Sequence, residues 1–121
     1  MDAVEGLIAK LKANQALAGE PFAVVFRLTA KPGQEDVIRR TMEHILPLTR
    51  AEAGNMTFDL HRDADDPRTF FLYERWRSVD DLADHLRQPY IQDAFQVYAA
   101  SAAGEGSAMF GTFLGSPQSE T

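Results

Sequence analysis

The sequence predicts an α+β fold: a ferredoxin-like split βαβ unit whose antiparallel sheet carries helices on one face. Three observations lead there. Some stretches alternate apolar with polar side chains or concentrate β-branched and aromatic residues, as strands do. The stretches between them repeat apolar residues at helical spacing. After a leading helix, the order is strand, helix, strand, strand, helices, strand. At 121 residues the chain has the length of one domain with a real core, and not of two.

Ala3 to Leu17 reads as an amphipathic helix, with Val4, Leu7, Ile8, Leu11 and Leu17 on or near one face; Gly19, Glu20 and Pro21 end it. "FAVVFRLT", Phe22 to Thr29, reads as a strand. "AKPGQED" turns into a helix in which Val37, Ile38, Met42, Ile45 and Leu46 recur at helical spacing. Glu35 and Asp36 suit its positive N-terminal end, and Pro47 is expected to kink or end it. Gly54 and Asn55 punctuate, and "MTFDLHR" alternates as a half-buried strand does. "DADDPR" is a compact turn that joins it to "TFFLYERWR" as a β-hairpin.

Ser78 with Asp81 three residues on resembles a capping box, starting a helix through about Arg87. Pro89 suits the first turn of another, with Tyr90, Ile91, Ala94, Phe95 and Tyr98 along one side. "AAGEGS" is a loop, "AMFGTFL" a last strand and "GSPQSET" a polar tail. The expected organisation is a helical extension over 1–20, a domain over 21–115 and a flexible tail over 116–121.

Composition narrows the function. With 45% hydrophobic and 25% charged residues, wholesale disorder is excluded. A net charge of -6 without any basic cluster argues against a nucleic-acid partner. Cysteine is absent, so disulfides, thiolate metal sites and a cysteine nucleophile are excluded. No signal peptide or membrane-length apolar run is visible, and a soluble cytoplasmic protein is the expectation. Metal spacings such as H-x-x-x-H are missing. "GEGS" lacks the strand-to-helix setting of a phosphate loop. No cofactor and no metal are therefore expected.

Strand alternation assigns two sheet faces. One carries Phe22, Val24, Phe26 and Leu28, then Met56, Phe58 and Leu60, then Phe70, Leu72, Glu74 and Trp76. This greasier face should lie under the helices, and Glu74 is its one charged member. The other carries Val25, Arg27, Thr57, Asp59, His61, Phe71, Tyr73 and Arg75. Its apolar area suits a partner surface, most simply a homodimer joined sheet to sheet.

His85, on the apolar flank of its helix, can point back toward Glu74 and Trp76. A carboxylate beside an imidazole fixes its tautomer and raises its basicity, which makes a usable general base. The spacing equally allows His85 to bond Asp81 one turn earlier, and Glu74 to pair with an arginine at the sheet edge. His44 falls mid-helix in a solvated position, and His61 on the mixed face.

"GNMTFDLHRDADDPRTFFLYERWRSVDDLADHLRQPYIQDAF" resembles the antibiotic biosynthesis monooxygenase family. The shared order is a glycine turn, a strand, an acidic D-P turn, E-x-W, a helix with a histidine and an aromatic-ended helix. Gly54, Asp66, Pro67, Glu74, Trp76, His85 and Phe95 hold those positions. The resemblance runs from about Phe22 to Phe113 and leaves out the leading helix. It implies a dimeric α+β barrel, a homodimer with a pocket between sheet and helices. It also implies cofactor-independent oxygenase, haem-degrading or isomerase chemistry. Haem-degrading members place an iron-ligating histidine near Phe95 and a tryptophan near His85; neither is present here.

The expected activity is cofactor-independent monooxygenation of a hydroquinone or related phenol. His85 is assigned as the base, Glu74 as its orienting carboxylate, and Trp76, Phe58, Tyr90 and Phe95 as walls against a small aromatic substrate. The alternatives are a non-catalytic dimer that binds a small ligand and an isomerase using the same pocket.

Overall fold

The computed structural model describes residues 3–115; the expected tail over 116–121 lies outside the described residues. Strands β1 (Phe22–Thr29), β2 (Asn55–Arg62), β3 (Thr69–Trp76) and β4 (Ser107–Thr112) form one sheet in the order β2-β3-β1-β4. Every neighbouring pair is antiparallel. Because β1 and β2 flank β3 from opposite sides, they run parallel to each other, and helix α2 (Glu35–Arg50) is the crossover between them. This is the split βαβ arrangement that the element order predicts.

Register confirms the two faces. Val24 stands opposite Glu74, which stands opposite Phe58; Phe26, Leu72 and Leu60 form the next row. Phe22, Val24, Leu28, Phe58, Phe70, Leu72 and Trp76 share one core cluster with Ile38, Met42 and Ile45 of α2 and Ile91 and Ala94 of α4 (Pro89–Ser101). Met56 departs from the expected face. A bulge between Asn55 and Thr57 puts Asn55, not Met56, opposite Trp76 and leaves Met56 39% exposed. One extra residue reverses the alternation on its far side.

Local chemistry sets most boundaries. Asn14 accepts from the Ala16 N–H at 3.0 Å, ending α1 (Ala3–Ala13) in a 3-10 turn over Gln15–Leu17. Ser78 accepts from the Asp81 N–H at 3.2 Å and caps α3 (Val79–Leu86), as its spacing predicts. In the hairpin turn, Asp63 accepts from the N–H groups of Asp65 and Asp66, and Asp66 accepts from that of Arg68. Of the two outcomes expected at Pro47, a kink or an end, the end does not occur: α2 runs on to Arg50. The turn beyond it persists because Arg50 donates to the Phe58 carbonyl at 3.0 Å and to Asp59 at 3.0 Å. Thr49 is fully buried within that turn.

The leading helix packs on the domain. Ile8 and Leu11 are each 2% exposed and belong to the same core as the sheet. At Gly54 a Cβ would lie 2.2 Å from the Asp81 carboxyl carbon, so this turn has no room for a side chain. Among the described residues no helix is long and apolar enough to cross a membrane.

Candidate functional site

Glu74 lies mid-strand on the core face, 6% exposed, between Val24 and Phe58. Side chains two apart on a strand share a face, so Trp76 reaches back and its indole N–H donates to Glu74 Oε1 at 2.8 Å. Burial raises the Glu74 carboxyl to about 6 from an ordinary 4.5; the Trp76 bond and the charge of His85 oppose that rise.

The folded protein therefore holds this proton where the unfolded chain has lost it. The associated stability is complete below about pH 4.5 and is lost as pH rises through about 6, by about 2 kcal/mol. Glu74→Gln should abolish that decline and exceed the wild type in stability at neutral pH. Denaturant midpoints measured on both sides of the window check this. Parallel pH dependence in the two proteins would count against it.

His85 is 4% exposed on α3, and its ring centre lies 4.7 Å from that of Trp76. Its orienting carboxylate is not Glu74 but Glu52: Nδ1 stands 2.8 Å from Glu52 Oε2. The Tyr90 hydroxyl donates to the same oxygen and lies 3.3 Å from Thr49 Oγ1. Glu52 itself sits in the turn after α2, its N–H bonded to the Thr49 carbonyl and its carbonyl to the Asn55 N–H. The two simpler pairings are absent. Asp81 accepts from Arg77 Nε and Nη2, at 2.9 and 2.8 Å, and from the Ser78 hydroxyl. Glu74 takes the indole rather than an arginine.

A carboxylate oxygen can only accept, so Nδ1 carries a proton toward Glu52, and in the neutral ring Nε2 is the nitrogen with the lone pair. Burial first, and then the Glu52 bond, hold the Tyr90 phenol protonated well above its ordinary range. Tyr90 thus stays a donor.

A cavity of about 590 Å³ opens between sheet and helices, and His85, Glu74, Phe58 and Phe95 line it. Two expected wall residues do not. Trp76 is 0% exposed and stands behind the wall as Glu74's donor, while Tyr90 serves Glu52. Tyr98, on the same stripe of α4 as Phe95, also lines the cavity. Its hydroxyl is buried without a hydrogen-bond partner among the described residues. Burial, and then the charge of Glu74, hold its proton on.

His44 is exposed, and His61 stacks on Phe71 at 4.5 Å on the outer face, so neither joins the site. Among the described residues, no three His, Asp or Glu side chains are grouped to hold a metal.

A model of the family described as antibiotic biosynthesis monooxygenase matches residues 21–97. Over 70 residues the chain is 33% identical to Rv0793 of Mycobacterium tuberculosis, a protein with a provisional monooxygenase name. That match takes in 58% of this chain and 68% of the relative. The solved structure of Rv0793 superposes with a TM-score of 0.77 at 24% identity, over 82% of this chain and all of that one. PA3566 from Pseudomonas aeruginosa superposes at 0.75 with 25% identity, over 80% of this chain and 97% of that one.

Proposed function

The chain belongs to the antibiotic biosynthesis monooxygenase family, and from that premise we propose a cofactor-independent monooxygenase of a hydroquinone or related phenol. One observation carries the reading. His85 commits Nδ1 to Glu52, keeps Nε2 for a ligand, and lines an apolar cavity that also holds Glu74.

Triplet oxygen reacts slowly with closed-shell molecules unless they surrender an electron. Nε2 takes a proton from the substrate hydroxyl, and the resulting anion becomes that donor. Glu52 and the Tyr90 bond behind it hold the imidazole in the basic tautomer and offset the charge it gains. One oxygen atom enters the ring and the other leaves as water, with the hydroquinone supplying all four electrons. Glu74, whose carboxyl exchanges its proton near pH 6, is placed to return a proton to the departing oxygen.

Oxygen uptake with a quinol panel, together with ¹⁸O incorporation into the product, tests the reading. A binding protein would show affinity without uptake, and an isomerase would show product without uptake.

The buried Tyr98 hydroxyl fits as the donor to a second ligand oxygen. Tyr98→Phe removes an unsatisfied group, so stability should hold or rise. Hydroquinone affinity, measured by calorimetry, should fall about tenfold. Lower stability with unchanged affinity would give the hydroxyl a structural role instead.

The reading includes a homodimer formed through the outer sheet face. Val25, Phe71 and Tyr73 are only half-buried there, and Met109, opposite Val25, is 67% exposed. Tyr73→Glu is expected to shift sedimentation toward monomer. A wild type that is already monomeric at micromolar concentration would sink the dimer.

A further inference from the structure

We propose that α1 is a specificity-determining wall of the ligand cavity, with Val4 and Leu7 limiting the apolar bulk that a phenolic ligand can carry. The proposal deepens the reading of that cavity given above and rests on it. Along α1 the apolar residues form two edges. Ile8 and Leu11, three apart, are each 2% exposed in the core. Val4 and Leu7, also three apart, are half-buried and line the cavity together with Ala3. One edge anchors the helix, and the other faces whatever occupies the site.

A second contact sets the position of this wall relative to the base. Arg87, two residues beyond His85, donates through both Nε and Nη2 to Glu5 at 3.0 and 3.1 Å. A forked guanidinium–carboxylate pair constrains direction as well as distance. The base and the wall are thereby tied to the same helix end. The family match begins at residue 21, after α1. The wall is thus an addition to the shared framework, and it can alter ligand size without disturbing Glu74, His85 or Glu52.

The test uses para-alkylphenols of increasing chain length, titrated into the full chain. Binding is followed by the fluorescence of Trp76, the single tryptophan, which lies beside His85. Affinity should rise about fourfold per buried methylene until the alkyl end meets α1, and then flatten. Leu7→Ala should move that break to longer chains, and Leu7→Trp to shorter ones. Should the bulky variant unseat the helix, shown by fast amide exchange in α1, Val4→Ala supplies the second enlarging change.

The same break in the wild type, Leu7→Ala and Val4→Ala overturns the proposal, as does a lack of saturable binding across the series. A break that shifts while no quinol drives oxygen uptake leaves this inference standing. That outcome removes the oxygenase reading instead.

Discussion

His85→Ala is expected to lower quinol-dependent oxygen uptake by on the order of 10² to 10⁴, the usual contribution of a positioned base. The side chain is buried but lines an open cavity, so the loss should be catalytic, with the melting curve still cooperative. Glu52→Gln sharpens the test. Glutamine can still accept from Nδ1 through its amide oxygen, so the ring keeps its tautomer while losing the neighbouring charge. The rate should fall and the acidic limb of the pH profile, which the base sets, should move to lower pH, because loss of the carboxylate charge disfavours the protonated imidazole. A Glu52→Gln profile identical to the wild type would remove Glu52 from the mechanism. Unchanged uptake per folded molecule in His85→Ala would remove the base itself.

Trp76→Ala should cost about 3–5 kcal/mol of stability through the loss of a fully buried indole. It also strips Glu74 of its indole donor. Trp76→Phe separates the two effects. It retains most of the ring volume but no N–H, so a buried carboxylate loses a bond at a cost of about 1–3 kcal/mol. In a Glu74→Gln background that second cost should shrink, since the amide carries no charge to leave unpaired. Urea unfolding of the four proteins in a double-mutant cycle gives the coupling. Strict additivity would mean that the indole acts by packing alone. The cycle also bears on the Glu74 proton, because the same bond favours the ionised carboxyl against the burial that raises it to about 6.

Much of this framework was legible in the chain. Aromatic and β-branched residues over "FAVVFRLT" mark β1 at its observed limits, and Ser78 marks the start of α3. Glu74 stood out as the one charge on the greasy face, and it is buried there. His85 turned inward, one of the two orientations that its helical position allowed. These are local properties: a period of two or 3.6 residues assigns a face, and a side chain near a helix end meets N–H groups within a few residues of itself.

What lay outside that reach was decided by tertiary packing. The bulge at Met56 depends on how β2 meets β3, and nothing in "NMTF" announces the extra residue. The turn beyond Pro47 survives because Arg50 finds partners on β2. Trp76 and Tyr90 were expected in the wall and instead stand behind it as hydrogen-bond donors. Above all, the carboxylate that orients His85 is Glu52, 33 residues earlier in a turn with no periodic pattern. The sequence by itself determined the strands and helices and, Met56 apart, the sheet faces, because each follows from spacing along one element; it left His85 free to turn either way. Only the tertiary structure decided which acid meets that histidine. That choice depends on where the end of α2 comes to rest against α3, and side-chain spacing within either helix carries no record of it.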